Sequence, residues 1–363
     1  MKISLALALS LALALCLLGL LGLKAFQAVT PFELLVEEWE IWKLRNGKTY
    51  ARNYEDNMKD AGNVGNYGQE EKLRMQIWMQ NKEKIEKHNH HALKGIHSYH
   101  LAMNEWGDLL HNEFVATLNG YNARTSNSSG GFKYIMPANA HTETFRKNLD
   151  WREYGAVTPV KNQRHCGACW AFSATGALEA MHRLAWWRLV SLSEQNLIDC
   201  STKYGNHGCN GGRMDAAFQY IKVNGGIDTE RSYPYEGEDD KCRYNSAYRG
   251  ATDFGYMYIE PGNEAILKMA ILFKGPCSVA IDASHESFQF YSNGVYRDKA
   301  CSPYNLDHGV LAIGYGVEEY TGEAYWLIKN SWGTSWGHEG YVKIARNEDN
   351  MCGVASDASF PIV

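Results

Sequence analysis

Cys169, in KNQRHCGACWAFS, heads a segment whose apolar residues Trp170, Ala174, Leu178, Met181 and Leu184 recur at helical spacing. A cysteine at a helix N-terminus meets unpaired amide hydrogens and the positive end of the helix dipole. Both favour the thiolate, so the thiol pKa is expected to fall. A thiolate that attacks a carbonyl still needs a proton carrier for the leaving group, and His308 in LDHGVLAIGYG offers an imidazole. Asn330 in NSWGTSWG offers an amide oxygen to hold that ring in one tautomer, and Trp332 an indole to shield the bond. Gln163 offers a side-chain amide to an oxyanion. Cys169, His308, Asn330 and Gln163 thus make a complete acyl-transfer set.

CGACW, the histidine after Leu-Asp and the Asn-Ser-Trp together resemble the papain-like cysteine peptidases, and among them the cathepsin L group. The resemblance covers nearly the whole chain beyond its first thirty residues. It implies an α+β fold of two lobes, one helical and one strand-rich, with the active site in the cleft between them and a small helical propeptide domain in front. It implies a cysteine endopeptidase zymogen, activated by propeptide removal at acidic pH, that hydrolyses proteins through a thioester and uses neither cofactor nor metal. The propeptide is then the chain's own inhibitor.

The same resemblance implies disulfides Cys166–Cys209, Cys200–Cys242 and Cys301–Cys352, which leave Cys169 and Cys277 free. It assigns backbone contacts with substrate to Gly211 and Gly212, and a pocket for the second residue before the cut to Met214, Ala280, Leu306 and Asp357. Asp307 and Trp332 complete the substrate-facing set. The chain departs from the family pattern at Trp78 and Trp106 in the propeptide, where Phe is usual, and in four places beyond it. Asp357 puts a carboxylate where a small neutral residue is usual, which implies acceptance of basic as well as aromatic or aliphatic side chains. Arg213 replaces an apolar residue and is expected to reach solvent. Arg164 and His165 replace a glycine-containing pair, which puts the local backbone angles in question. Cys277 replaces an aliphatic residue and is expected to be buried as one.

A chain of 363 residues, 45% of them hydrophobic, suits two or three domains with a sizeable core. A net charge of -5 provides no basic field for a nucleic-acid backbone. Of the nine cysteines, Cys16 lies in the apolar leader, and the rest show no zinc-ribbon spacing. Oxidation is the better reading of them, and the HNHH run supplies no metal-ligand set. A secreted homologue that merely holds peptides would keep the disulfides and the cleft; the intact catalytic set argues against it.

The apolar run Ile3–Leu23 reads as a secretory leader, although it is also long enough to span a bilayer. The expected division is a signal peptide over 1–24, an inhibitory propeptide over 25–143 and a peptidase domain over 144–363. A lysosomal or extracellular monomer, without stable membrane association once the leader is gone, is expected. Trp39, Ile41, Trp42 and Leu44 open the propeptide, the Gly/Asn-rich AGNVGNYG interrupts it, and a helix is predicted over 69–89. On that helix Glu70, Arg74, Trp78, Asn81, Ile85 and Asn89 advance by three- and four-residue steps. That spacing resembles the ERFNIN pattern of cathepsin L-type propeptides, and Ala102, Asn104, Trp106 and Asp108 resemble their second signature. Asp108 and Glu70 are expected to pair with cations and to lose those pairs in acid, with the His-rich stretch 88 to 100 adding to the effect.

The tail TSNSSGGFKYIMPANAHTE shows no helix or strand periodicity and contains the sequon at Asn127. The resemblance implies that it runs through the cleft against the substrate direction. The mature N-terminus is expected between Ala140 and Lys147. Beyond it the pattern is largely helical to Val190. LSEQNLIDC adds a helix capped by Ser193, and SVAID, GVLAIGYG, YWLIKNSW and GYVKIAR read as antiparallel strands.

Overall fold

The computed structural model describes residues 30–50, 68–123, 130–136 and 146–363. The leader with Cys16, nearly all of the Gly/Asn-rich insert, Asn127 and most of the processing window lie outside the described residues. The chain forms two compact units, Met1–Met75 and Gln76–Val363.

In the first unit, helix α1 (Pro31–Arg45) starts at Thr30, whose hydroxyl accepts from the Glu33 amide while the Glu33 carboxylate accepts from the Thr30 amide. A reciprocal cap of this kind is worth about 1 kcal/mol. Trp39 and Trp42 are buried and stack at 5.1 Å, with Tyr50 against Trp39 at 5.7 Å, whereas Ile41 and Leu44 are exposed. Helix α2 (Gln69–Leu93) begins here, and its buried carboxylate is Glu71, ion-paired with Lys43. Glu70, the residue expected in that role, is exposed.

In the second unit, α2 continues into β1 (Tyr99–Leu101), α3 (His111–Leu118) and β2 (Phe132–Lys133). Asn81 donates to the carbonyls of Gly107 at 3.0 Å and Leu109 at 3.2 Å, and Asn89 exchanges two bonds with Leu101. The two Asn positions of the helix pattern are therefore tethers that hold the following loop and strand to α2. Then come β3 (Leu149–Asp150), α4 (Cys169–Trp186), α5 (Glu194–Cys200), α6 (Met214–Asn224), β4 (Ile227–Asp228) and β5 (Arg249–Ala251). The strand-rich part follows as β6 (Tyr256–Tyr258), α7 (Glu264–Phe273), β7 (Cys277–Ile281), α8 (Glu286–Gln289), β8 (Tyr291–Tyr296), β9 (His308–Val317), β10 (Ala324–Lys329), β11 (Tyr341–Ala345) and β12 (Ala358–Pro361).

Ten strands join in one sheet in the order β1-β8-β11-β10-β9-β7-β12-β6-β2, with β3 on β9. β9 runs at its centre, antiparallel to β7 and β10. Successive side chains of a strand point to opposite faces. Val310 and Ala312 accordingly enter one apolar core, while Leu311 and Ile313 enter a second one shared with α4. Burial on both faces is why GVLAIGYG reads as a continuous apolar run. Ser193 caps α5 by accepting from the Asn196 amide at 2.9 Å, as its position predicts.

The helical N-terminal region also contributes two short strands: β1 pairs antiparallel with β8 and β2 pairs parallel with β6, extending the sheet at both ends. The described part of the Ser/Gly-rich tail therefore lies along a sheet edge, with the Tyr134 amide donating to the Tyr258 carbonyl at 2.9 Å. An edge strand needs only backbone groups to recruit a partner, so composition gave no signal.

Candidate active site

Cys169 is the first residue of α4 and is completely buried, and His308 is the first residue of β9, equally buried. The Gly309 amide, next to that histidine, donates to Cys169 Sγ at 3.3 Å, which brings the two strand and helix starts together. His308 Nε2 lies 2.8 Å from Asn330 Oδ1, an oxygen that also accepts from the Ser331 amide. An acceptor there requires the ring proton on Nε2 and leaves Nδ1 as the basic nitrogen. Trp332 stacks on the imidazole at 4.5 Å and 30° and is itself fully buried.

Behind Asn330 lies a buried polar network. Lys329 Nζ donates to Thr158 at 3.0 Å, and Thr158 donates to Glu179 of α4 at 2.6 Å. Lys161 joins Glu179 at 3.0 Å and Glu194 at 2.6 Å. β10, which ends just before Asn330, is thereby pinned to the helix that carries Cys169.

Gln163 is held at both ends. Its Oε1 accepts from the Ser331 hydroxyl at 2.7 Å, and its Nε2 donates to the carbonyls of Cys166 and Leu118, both at 2.8 Å. Leu118 is the last residue of α3. Two residues on, the Gly120 amide donates to Cys169 Sγ at 3.3 Å. A side chain at Gly120 would come within 1.8 Å of the Gly167 carbonyl oxygen, so only glycine lets the segment lie this close.

Gly212 donates its amide to the Gly120 carbonyl at 2.9 Å and accepts from the Asn122 amide at 3.0 Å, in a parallel bridge with Tyr121. Gly211 makes its backbone bonds within its own loop, to His207 and Gly208. The Tyr121 ring lies in the apolar cluster that includes Met214 and Ala280, with Leu306 at its border, and its hydroxyl donates to the Asp357 carboxylate. Asp307 accepts the Tyr121 amide on its carbonyl at 2.9 Å and the Asn119 side-chain amide on its carboxylate at 2.7 Å. The described residues over the sulfur are thus 118–122, upstream of the tail expected there. The LNGYN run following α3, a glycine beside an aromatic residue, was the signal.

The electrostatics also depart from expectation. Burial pushes the Cys169 thiol up to about 11, against the pull of the Gly309, Gly120 and Trp170 amides. Burial likewise pushes His308 down to about 4, against the Asn330 hydrogen bond. Desolvation by the covering segment outweighs the helix terminus, so this state holds a neutral thiol and a neutral imidazole.

Among the described residues three disulfides form, Cys166–Cys209, Cys200–Cys242 and Cys301–Cys352. Cys169 and Cys277 are free and buried, and burial raises the Cys277 thiol further. Arg213 does not simply reach solvent: it is the extended residue just before α6, and its Nε bonds Asp215 on the first turn at 3.0 Å. Arg164 takes φ 52, the left-handed conformation that the missing glycine would adopt freely, and its amide donates to Asn162 Oδ1 at 2.8 Å. Among the described residues the one cluster with metal-ligand spacing, Asp282, His285 and Cys301, has its sulfur in a disulfide.

Residues 145–362 match the papain family cysteine protease domain, and residues 39–114 match the cathepsin propeptide inhibitor domain (I29). The chain belongs to the papain family of cysteine proteases. Within that family it is a cathepsin L-like endopeptidase zymogen, whose propeptide is its intramolecular inhibitor. It is 53% identical over 354 residues to cathepsin L of Sarcophaga peregrina, covering 96% of this chain and 99% of that one. It is 55% identical over 346 residues to a cathepsin L-like peptidase of Aedes aegypti, covering 93% and 96%. The solved structure of digestive procathepsin L 3 from the Tenebrio molitor larval midgut superposes with a TM-score of 0.79 at 41% identity, covering 91% of this chain and 99% of that one.

Proposed function

We propose that the mature enzyme cleaves proteins with Cys169 as nucleophile, His308 as proton carrier, Asn330 as the group that orients the ring, and Gln163 with the Cys169 amide as oxyanion donors. The sulfur attacks the peptide carbonyl, the oxyanion collapses, and the C–N bond breaks as the amine takes a proton from His308. Water then gives a proton to the imidazole and its oxygen to the thioester, releasing the acid and restoring the thiol. One observation carries this reading: the Leu118 carbonyl accepts from Gln163 Nε2 at 2.8 Å while the Gly120 amide touches the sulfur at 3.3 Å. A peptide carbonyl thus already accepts from the side-chain amide proposed to hold the oxyanion, which supports the reading.

Gly212 supplies backbone bonds to the substrate, with Gly211 shaping the loop, and Met214, Ala280, Leu306 and Asp357 form the pocket for the second residue before the cut. Asp307 and Trp332 border the groove. In a substrate the pocket residue precedes the attacked carbonyl, whereas here Tyr121 follows the Leu118 carbonyl, so the propeptide lies reversed. Division into a leader over 1–24, a propeptide over 25–143 and a peptidase over 144–363 follows, with passage through the secretory pathway to lysosome or exterior as a monomer. Among the described residues no helix is long and apolar enough to cross a membrane.

A thiol-reactive epoxide probe tests the assignment. Labelling at Cys169 that appears only after acid processing, together with peptidase activity, is expected. A processed chain that labels elsewhere, or binds peptides without cleaving them, would overturn it.

A further inference from the structure

An imidazole cluster that the catalytic scheme does not use lies where α2 meets β1. The rings of His88 and His97 stack with centroids 4.2 Å apart and planes 5° from parallel. His91 lies 5.8 Å from His97, and Tyr99 lies 4.5 Å from His88. His88 Nε2 donates to the Tyr99 carbonyl at 3.1 Å, so the ring ties the helix end to the strand. The strand is in turn tied to the peptidase sheet. The Val295 amide donates to Ser98 at 3.1 Å, the Ser98 hydroxyl to Val295 at 2.6 Å and the Ala102 amide to Phe290 at 2.8 Å, while Tyr99 packs on Tyr296 at 4.9 Å.

No carboxylate bonds or pairs with His88, His91 or His97 among the described residues. The charged groups on the elements packed against them are Asp298, which acts on Tyr99 and Tyr296, Glu318, which acts on Tyr291, and the Lys84–Glu286 pair at 2.7 Å. Lys87 and Lys94 flank the cluster in sequence, and His100 lies close enough to bear on His88. Face-to-face imidazoles at this separation repel once both are charged. Burial holds His88 below the ordinary histidine range, and the neighbouring imidazoles act in the same direction against the Tyr99 carbonyl, whose hydrogen bond favours the charged ring.

We propose that His88, His91 and His97 form an acid-operated latch: neutral, the stacked rings hold β1 on β8, and protonated, they drive helix end and strand apart and free the propeptide from the sheet edge. This rests on the zymogen reading and names the groups that sense acid in it. A histidine depressed in the docked state stabilises docking fully above the ordinary imidazole value, and that stability is lost as pH falls from there through the docked value.

The test uses the full chain carrying Cys169→Ser, following amide exchange at residues 99–101, corrected for intrinsic rate, from neutral to acidic pH. Protection is expected to collapse in the parent as the histidines charge. His88→Phe with His97→Phe keeps stacked rings without charge and should move the collapse down by at least about one pH unit. His97→Lys should weaken protection already at neutral pH. Identical midpoints in parent and double Phe variant would overturn the latch. Should that variant not fold, the parent's histidine C2-proton titrations decide: interdependent curves support the latch, and independent curves overturn it. Acid processing of the wild-type chain is read separately, so failure to activate counts against the proposed function and not against the latch.

Discussion

The hydroxyl of Tyr121 donates to the carboxylate of Asp357, at the end of an apolar cluster that also contains Met214 and Ala280. An aromatic ring with a donor at its tip fills this pocket, and an arginine side chain has the same build of apolar stem and donor head. Wild-type mature enzyme is therefore expected to cleave both Phe-Arg and Arg-Arg reporter peptides. Asp357→Ala should lower kcat/KM for Arg-Arg by about tenfold or more while leaving Phe-Arg within a few-fold, since a hydrogen bond to a charged group contributes about 1.5–3 kcal/mol. An unchanged ratio would remove Asp357 from the pocket.

Gly120→Ala places a Cβ against the Gly167 carbonyl oxygen and forces residues 118–122 to lift from the sulfur. Faster probe labelling of the unprocessed chain at neutral pH is expected, with Tyr121→Phe giving a smaller increase because it loses one bond and keeps the ring. Labelling rates of the full-length variants check this ordering.

Burial pushes the Cys169 thiol up to about 11, so the sulfur stays overwhelmingly un-ionised at pH 7 while it is covered. Processing removes the cover, and water then relieves the desolvation that raises Cys169 and lowers His308. The rate of epoxide labelling at pH 7 should rise by orders of magnitude on processing. In the intact zymogen it should instead climb toward alkaline pH, and its pH profile measured before and after processing makes the comparison.

Lys161→Met leaves Glu179 and Glu194 buried without their shared cation. Removing one partner of a buried pair costs about 3–5 kcal/mol, and thermal unfolding should show a loss of that order. A shift under 1 kcal/mol would mean that water or Lys329 compensates.

Arg164→Gly should stabilise the fold by about 1 kcal/mol, because a non-glycine residue at φ 52 carries about 1–2 kcal/mol of strain, partly offset by glycine's greater unfolded-state freedom. An increase in Tm with kcat/KM unchanged is the expected result.

The candidate site was legible in the sequence because each residue proposed to react sits inside its own short motif: Cys169 at a helix start, His308 at a strand start, Asn330 before Ser-Trp. In the fold His308 meets Asn330, Gln163 meets Ser331, and the Gly309 amide meets the sulfur. The ionisation state was not legible, since a helix terminus acts locally whereas burial of Cys169 depends on a segment some fifty residues away. Strands β1 and β2 were hidden for a related reason. They are recruited by the backbone edges of β8 and β6, and two or three residues carry too few side chains to show a period. Glu71 rather than Glu70 holds the buried ion pair because one step along a helix turns a side chain by about 100°.

While residues 118–122 stay seated, the group bonded to the sulfur is a backbone N–H, a hydrogen donor with no acyl group to hand over. The same contact that covers Cys169 therefore also occupies the approach a scissile carbonyl would need.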